Sequence, residues 1–166
     1  MNSGCSKSVF SIGSNLLKRL RDGDIDVAIL ALPINDNQIA TEFLFEERFL
    51  LAVPENHSFA KRSSITIGEL AEHDLLLLEE GHCLRDHALE VCGLSGAGEN
   101  ASFRGTSLET LRHMVSAEVG MTLLPELATL NQGALASGIH LLSFADSNPS
   151  RQIAMCWRKS SVRESL

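Results

Sequence analysis

No stretch of this sequence approaches the ~20 consecutive apolar residues that a membrane-spanning helix requires. Nor does the chain open on the charged-then-apolar pattern of a secretory signal. Positive charge is scarce as well. Its 14 Lys and Arg against 21 Asp and Glu give a formal net charge of −7, so the chain has no electrostatic basis for gripping a nucleic-acid backbone itself. Cysteine occurs only at Cys5, Cys83, Cys92 and Cys156, too few and too scattered for the disulfide scaffold of a small secreted domain. These absences point to a cytosolic, non-membrane chain with reactive thiols. Internal repeats are missing, and low complexity is confined to Ser-rich ends.

What remains is an ordinary globular composition. The 166 residues are 44% hydrophobic and 21% charged, enough to bury a core in one domain or two small lobes. Residues 1–12, rich in Ser and Gly and without a clean period, read as a disordered leader. Leu16, Leu17 and Leu20 interleaved with Lys18, Arg19 and Arg21 predict a short amphipathic helix that ends at Asp22-Gly23-Asp24. Strands are expected at 25–30, 39–45, 49–53, 75–78, 101–104, 121–124, 139–144 and 152–157. Between them, Thr66-x-x-Glu69 is a capping box opening a helix to about Glu72. Ser107 caps a helix over 108–117, and Pro125 opens another to about Leu130. This alternation predicts an α/β fold with largely parallel sheets.

Residues 81–92 carry chemistry beyond packing. Gly81-His82-Cys83-Leu84-Arg85-Asp86-His87-Ala88-Leu89-Glu90-Val91-Cys92 reads as a helix stopped by Gly93. Leu84, Ala88, Val91 and Cys92 recur at i, i+4, i+7 and i+8, which is one helical face, so Cys92 faces the core and Cys83 lies off that stripe. Such a helix holds the two sulfurs about 13 Å apart along its axis and about half a turn out of phase. A disulfide needs Cα atoms within about 7 Å. These cysteines cannot bond while the helix is intact, so bonding means unwinding, and that is a switch. The plainer alternative is that both simply pack. Cys83 also lies in the first turn, where the helix dipole and free N–H groups favour a thiolate, with His82 and Arg85 adding to the effect. A metal site from His82, Cys83, His87 and Cys92 fails to close, because Cys83 and His87 share a face opposite to Cys92.

Arg151 shares strand parity with Ile153, Met155 and Trp157, which aims its guanidinium at an apolar face. Buried arginines are paired or bind a ligand, although an arginine opening a strand is as readily exposed. In the 108–117 helix, Leu108, Leu111, Met114 and Val115 form a wide apolar stripe against Glu109, Arg112 and His113.

Gly81-His82-Cys83-Leu84-Arg85-Asp86 with the second cysteine at Cys92, the run from Phe103 to Arg112 (FRGTSLETLR) and Gly120-Met121-Thr122-Leu123-Leu124-Pro125 together form a specific pattern. With Asp26 to Leu32 and Glu42 to Val53, they resemble the OxyR-type regulators, the peroxide-sensing branch of the LysR-type transcription factors, over about residues 16–158. The resemblance implies a two-lobed α/β regulatory domain of periplasmic-binding-protein type with its first lobe incomplete. Residues 13–45 plus 150–166 would be the partial first lobe, and 46–149 the second lobe with the redox cysteines. DNA would be bound only through an absent N-terminal domain, and the full-length protein would be a homodimer or tetramer.

Carried over onto this sequence, Cys83 is the peroxidatic cysteine that hydrogen peroxide oxidises to sulfenic acid, and Cys92 is the resolving cysteine of the redox-active disulfide. His82 polarises the peroxide, and Arg151 stabilises charge near the thiolate. A threonine that contacts peroxide in the family falls near Gly13, where the chain reads Ile12-Gly13-Ser14-Asn15 and only Ser14 offers a hydroxyl. The 108–117 helix lies at the family's dimer interface, which nominates Leu108, Leu111, Arg112, Val115 and Ala117. The same stripe would also suit a helix that only packs its own lobe.

Three functions compete. A peroxide sensor whose disulfide remodels the domain and activates antioxidant genes needs glutaredoxin or thioredoxin to reset it, and no cofactor or metal. A LysR-type effector domain binding a small organic ligand between its lobes has no need of the paired cysteines. A thiol peroxidase lacks its Pro-x-x-x-Thr-x-x-Cys pattern here, so the expectation is a sensor and not an enzyme.

Overall fold

The computed structural model describes residues 12–70, 73, 75–79, 83–91, 99–130 and 138–160. Helix α1 (Ile12–Asp22) leads to β1 (Val27–Ala31) and then to one long strand, β2 (Ile39–Pro54). The two strands expected at 39–45 and 49–53 are therefore continuous. The polar segment Glu46-Glu47-Arg48 that separates them in the sequence stays in the ladder, paired with β8 (Ser150–Arg158). A register shift between Phe43 and Phe45 re-aims the strand without ending it.

The first core lies where α1 covers one face of β1 and β8. Leu20, Ala28, Ile39, Ala154 and Cys156 are buried together there. Arg158 Nη1 donates to the Leu20 carbonyl at 2.9 Å and so satisfies an acceptor at the end of α1. A second core begins past residue 48. Beyond β3 (Ser64–Ile65) and the single-turn α2 (Ile67–Leu70) comes β4 (Leu75–Leu78), four leucines that are all buried. Strand periodicity divides them. Leu75 and Leu77 join Phe49, Leu51, Val53 and Ala88 of α3 (Cys83–Val91), whereas Leu76 and Leu78 pack on Leu111 and Val115 of α4 (Leu108–Ser116). A strand covered on both faces has no polar side, which accounts for the unbroken leucine run.

The chain then adds β5 (Glu99–Gly105), β6 (Thr122–Pro125) and β7 (Ile139–Phe144). The main sheet runs β1-β8-β2-β7-β3, with β6 also on β2, and β4 pairs with β5. The expectation of largely parallel sheets is overturned among the described residues. Pairs β1–β8, β2–β8, β2–β7 and β2–β6 are antiparallel; β3–β7, β4–β5 and the Leu75–Met121 bridge are parallel. Parallel pairing survives where a helix crosses over, as α3 does between β4 and β5. The long β2 passes from one core to the other, and its three partners all run against it. The helix expected at 125–130 is a 3-10 turn, Glu126–Thr129.

Elsewhere the local signals are realised. Ser107 caps α4, its side chain accepting from Thr110 N at 3.1 Å. Glu69 reaches back to Thr66 N at 3.0 Å while Thr66 Oγ1 accepts from Glu69 N, which is the capping box read from the sequence. Of the proposed leader 1–12, residues 1–11 lie outside the described residues and Ile12 already opens α1; 71–72, at the expected end of the Thr66 helix, and 92–98 also lie outside them.

Candidate functional site

A cleft of about 560 Å³ opens between the two cores. Ile29, Ala31, Phe45 and Ile153 line it from the side of the first core, and Leu78, Leu84 and Leu108 from the second. Glu47 and Arg151 form its charged part, and Thr106 and Ser107 bring hydroxyls to it at the start of α4. Gly13, the position where the family threonine falls, also lines the cleft.

Helix α3 forms part of one wall. It begins at Cys83 and ends at Val91, so its nine residues span about 13 Å. Ala88 is buried against Leu75 and Leu77, and Leu84 packs between the two halves of the second core, as the periodicity of 81–92 requires. Cys83 thus opens the helix, where backbone N–H groups lack intrahelical acceptors. His82 and Cys92 lie outside the described residues. Among the described residues no group of three or more His, Cys, Asp or Glu is arranged to hold a metal ion. Cys156, by contrast, is a free thiol fully buried in the first core, and burial pushes its pKa up.

Arg151 takes the paired alternative. It stands directly across from Glu47 in the β2–β8 ladder. Its Nε donates to Glu47 Oε2 at 2.8 Å, and Nη2 lies 2.6 Å from the same oxygen. The Glu47 side chain is 4% exposed and that of Arg151 16%. The other carboxylate oxygen of Glu47 accepts from Leu127 N at 3.3 Å, and the Arg151 guanidinium carbon lies 5.9 Å from the Phe49 ring centre. A buried carboxylate needs such partners, because an unpaired charge at this depth costs several kcal/mol. Next along β2, Arg48 makes two bonds to Glu126, at 3.1 and 2.7 Å, fastening the 3-10 turn to the same strand.

Sequence reasoning missed Glu47. Its signal was there: Phe45, Glu47, Phe49, Leu51 and Val53 alternate on one strand face, and a lone acid in such a stripe needs a buried cation. Taking 46–48 as a break between strands concealed it.

The residues nominated for a dimer contact divide. Leu111 and Val115 are 2% and 0% exposed and sit in the core against Leu76 and Leu78. Arg112 is buried as well, with Nη1 donating to Glu109 Oε2 at 3.1 Å. Leu108 is half-buried and Ala117 exposed. The apolar stripe of α4 is thus used largely inside its own lobe.

Comparison with known proteins agrees with this arrangement. Residues 9–166 match the LysR substrate binding domain family. The chain is 42% identical over 146 residues to the hydrogen peroxide-inducible genes activator of Haemophilus influenzae, covering 88% of this chain and 48% of that protein. It therefore spans about half the length of the curated relatives it matches. The crystal structure of the reduced form of OxyR superposes with a TM-score of 0.81 at 38% identity, covering 92% of this chain and 71% of the other. The oxidised form gives 0.76 at 42% identity, covering 89% and 69%. The two-lobed α/β chain with its cleft beside α3 belongs to the LysR substrate-binding domain family, within its OxyR group.

Proposed function

We propose that this chain is the peroxide-sensing regulatory domain of a LysR-type transcriptional regulator, with residues 13–45 and 150–166 in one lobe and 46–149 in the other. One observation carries the reading. Helix α3 starts at Cys83, and the next residue, Leu84, lines the cleft together with Arg151 and Ile153 of β8.

The chemistry balances without a cofactor. The Cys83 thiolate attacks one peroxide oxygen, the O–O bond breaks, and the departing hydroxide takes a proton to become water, leaving Cys83 as sulfenic acid. His82 and Arg151 assist by polarising the peroxide and stabilising the charge. The Cys92 thiolate then attacks the Cys83 sulfur, and the hydroxyl leaves with a proton as a second water. The S–S bond cannot span an intact α3, so the helix unwinds and the lobe repacks. A dithiol reductant, glutaredoxin or thioredoxin, restores both thiols by exchange.

The output lies elsewhere in the full-length protein. DNA is bound by a separate domain of a cytoplasmic homodimer or tetramer that activates antioxidant genes. In that assembly a contact through α4 falls to the accessible Leu108 and Ala117, with Arg112, Leu111 and Val115 supporting them from beneath. The domain is a sensor and not an enzyme, since each oxidation consumes its own thiols until they are reduced.

Trapping tests this. In a Cys92→Ser variant, peroxide should leave a sulfenic acid on Cys83 that dimedone labels, and Cys83→Ser should abolish the label. Label confined to Cys156, or none at all, sinks the reading. The apolar cleft with the hydroxyls of Thr106 and Ser107 supports a second reading, an effector domain for a small organic ligand. That reading requires a ligand that raises the unfolding temperature equally in wild type and in a double Cys83→Ser, Cys92→Ser variant.

A further inference from the structure

We propose that Glu47 is a positioning residue: it holds Arg151 at the start of β8 beside α3 and moderates the charge that Arg151 presents to the thiol. This deepens the peroxide reading and rests on it. The geometry is that of a tether. Glu47 Oε2 accepts from Arg151 Nε at 2.8 Å and lies 2.6 Å from Nη2 in the ion pair, while Oε1 accepts from Leu127 N at 3.3 Å. One buried carboxylate thus ties β2, β8 and the turn at Glu126–Thr129 together at the point where the cores meet. Helix α3 lies over this point. Leu84 shares the main cleft with Arg151, and Glu90 shares with it a second recess of about 450 Å³.

Two consequences follow from the charges. Arg151 is fixed in place, since its side chain can swing only by abandoning a buried carboxylate. The field it exerts on the start of α3 is also partly cancelled, because Glu47 carries the opposite sign. The other charged groups nearby are Glu90, exposed on α3, the Arg85–Asp86 pair on the same helix, and Arg48 with Glu126, which pair with each other. Among the described residues only Glu47 makes an ion pair with Arg151 that is buried. Removing its charge while keeping its shape should leave Arg151 seated and undamped. Removing the whole side chain should release it.

The test uses the reduced protein with Cys156→Ser in every variant, reading the pH profile of iodoacetamide alkylation at Cys83 and its rate of oxidation by peroxide. Glu47→Gln should move the alkylation profile to lower pH by about one unit, the scale of a single nearby charge. Glu47→Ala should slow peroxide oxidation by about tenfold to a hundredfold, as misplacement of an oriented group does. Should Glu47→Ala fail to fold, Glu47→Gln alone decides through the profile. Variants whose profile and rate both match wild type would make Glu47 a structural strut only and overturn the proposal. A Glu47-dependent profile in a protein that peroxide does not oxidise upholds the positioning role and overturns the peroxide reading instead.

Discussion

Truncating Leu111 to alanine separates the two roles open to α4. Leu111 is 2% exposed and packs on Leu76, Leu78 and Val115, all within the second core. Losing its isopropyl group from so enclosed a place removes the transfer free energy of the three lost carbons and leaves a cavity, a cost of about 3 kcal/mol. With a urea m-value of about 2 kcal/mol/M for a domain of this size, the midpoint of unfolding should fall by about 1.5 M. Leu130, 66% exposed, is the control, and Leu130→Ala should stay within about 0.5 kcal/mol of wild type. Urea titration followed by circular dichroism, with light scattering on the same samples, reads stability and mass together. A Leu111→Ala protein of wild-type stability but altered association state would refute the core assignment and return the side chain to an interface.

Gly105→Ala probes the same seat from below. An added Cβ would lie 2.7 Å from Leu111 Cδ2 and 2.9 Å from its Cγ, so overpacking should cost about 1–3 kcal/mol in the same titration, and no loss would mean that α4 shifts freely. At Glu69, hydrogen bonds from Arg62, and then from Thr66, pull the carboxyl down to about 2 from its usual 4.5. Its folded pKa lies below the unfolded one, so its contribution is complete above about pH 4.5 and fades as the pH falls toward 2. Glu69→Gln should therefore flatten the loss of stability across that window in urea titrations at stepped pH. Equal losses in both proteins would refute it.

The second lobe was legible because its elements carry their own local instructions. The Leu75–Leu78 run, the capping residues Ser107 and Thr66, and the period of Leu84 and Ala88 each need only a few neighbouring positions to be read. Strand direction was not legible. Whether β2 meets β8 parallel or antiparallel depends on segments over 100 positions apart, and nothing in Glu42–Val53 encodes it. The same distance hid the Glu47–Arg151 pair: strand parity marked Arg151 as a charge on an apolar face, but its partner lies 104 positions away, in a segment read as a break between strands. The stripe of α4 was visible, but a stripe does not say whether its partner is the same chain or another. Leu111 and Val115 answer that only through their burial against β4. The spacing of Cys83 and Cys92 reads as a constraint on two thiols, but position 92 lies outside the described residues, and the proposed pairing came from resemblance.

The central claim is that peroxide joins Cys83 to Cys92 at the expense of α3. Intact mass and non-reducing peptide mapping, before and after one equivalent of hydrogen peroxide, test it most directly. Disulfide formation at the expense of α3 should give a loss of two hydrogens, a crosslinked peptide containing both Cys83 and Cys92, reduced helix content and an unmodified, buried Cys156. Free thiols at 83 and 92 after peroxide, or a disulfide that forms with helix content unchanged, would contradict it.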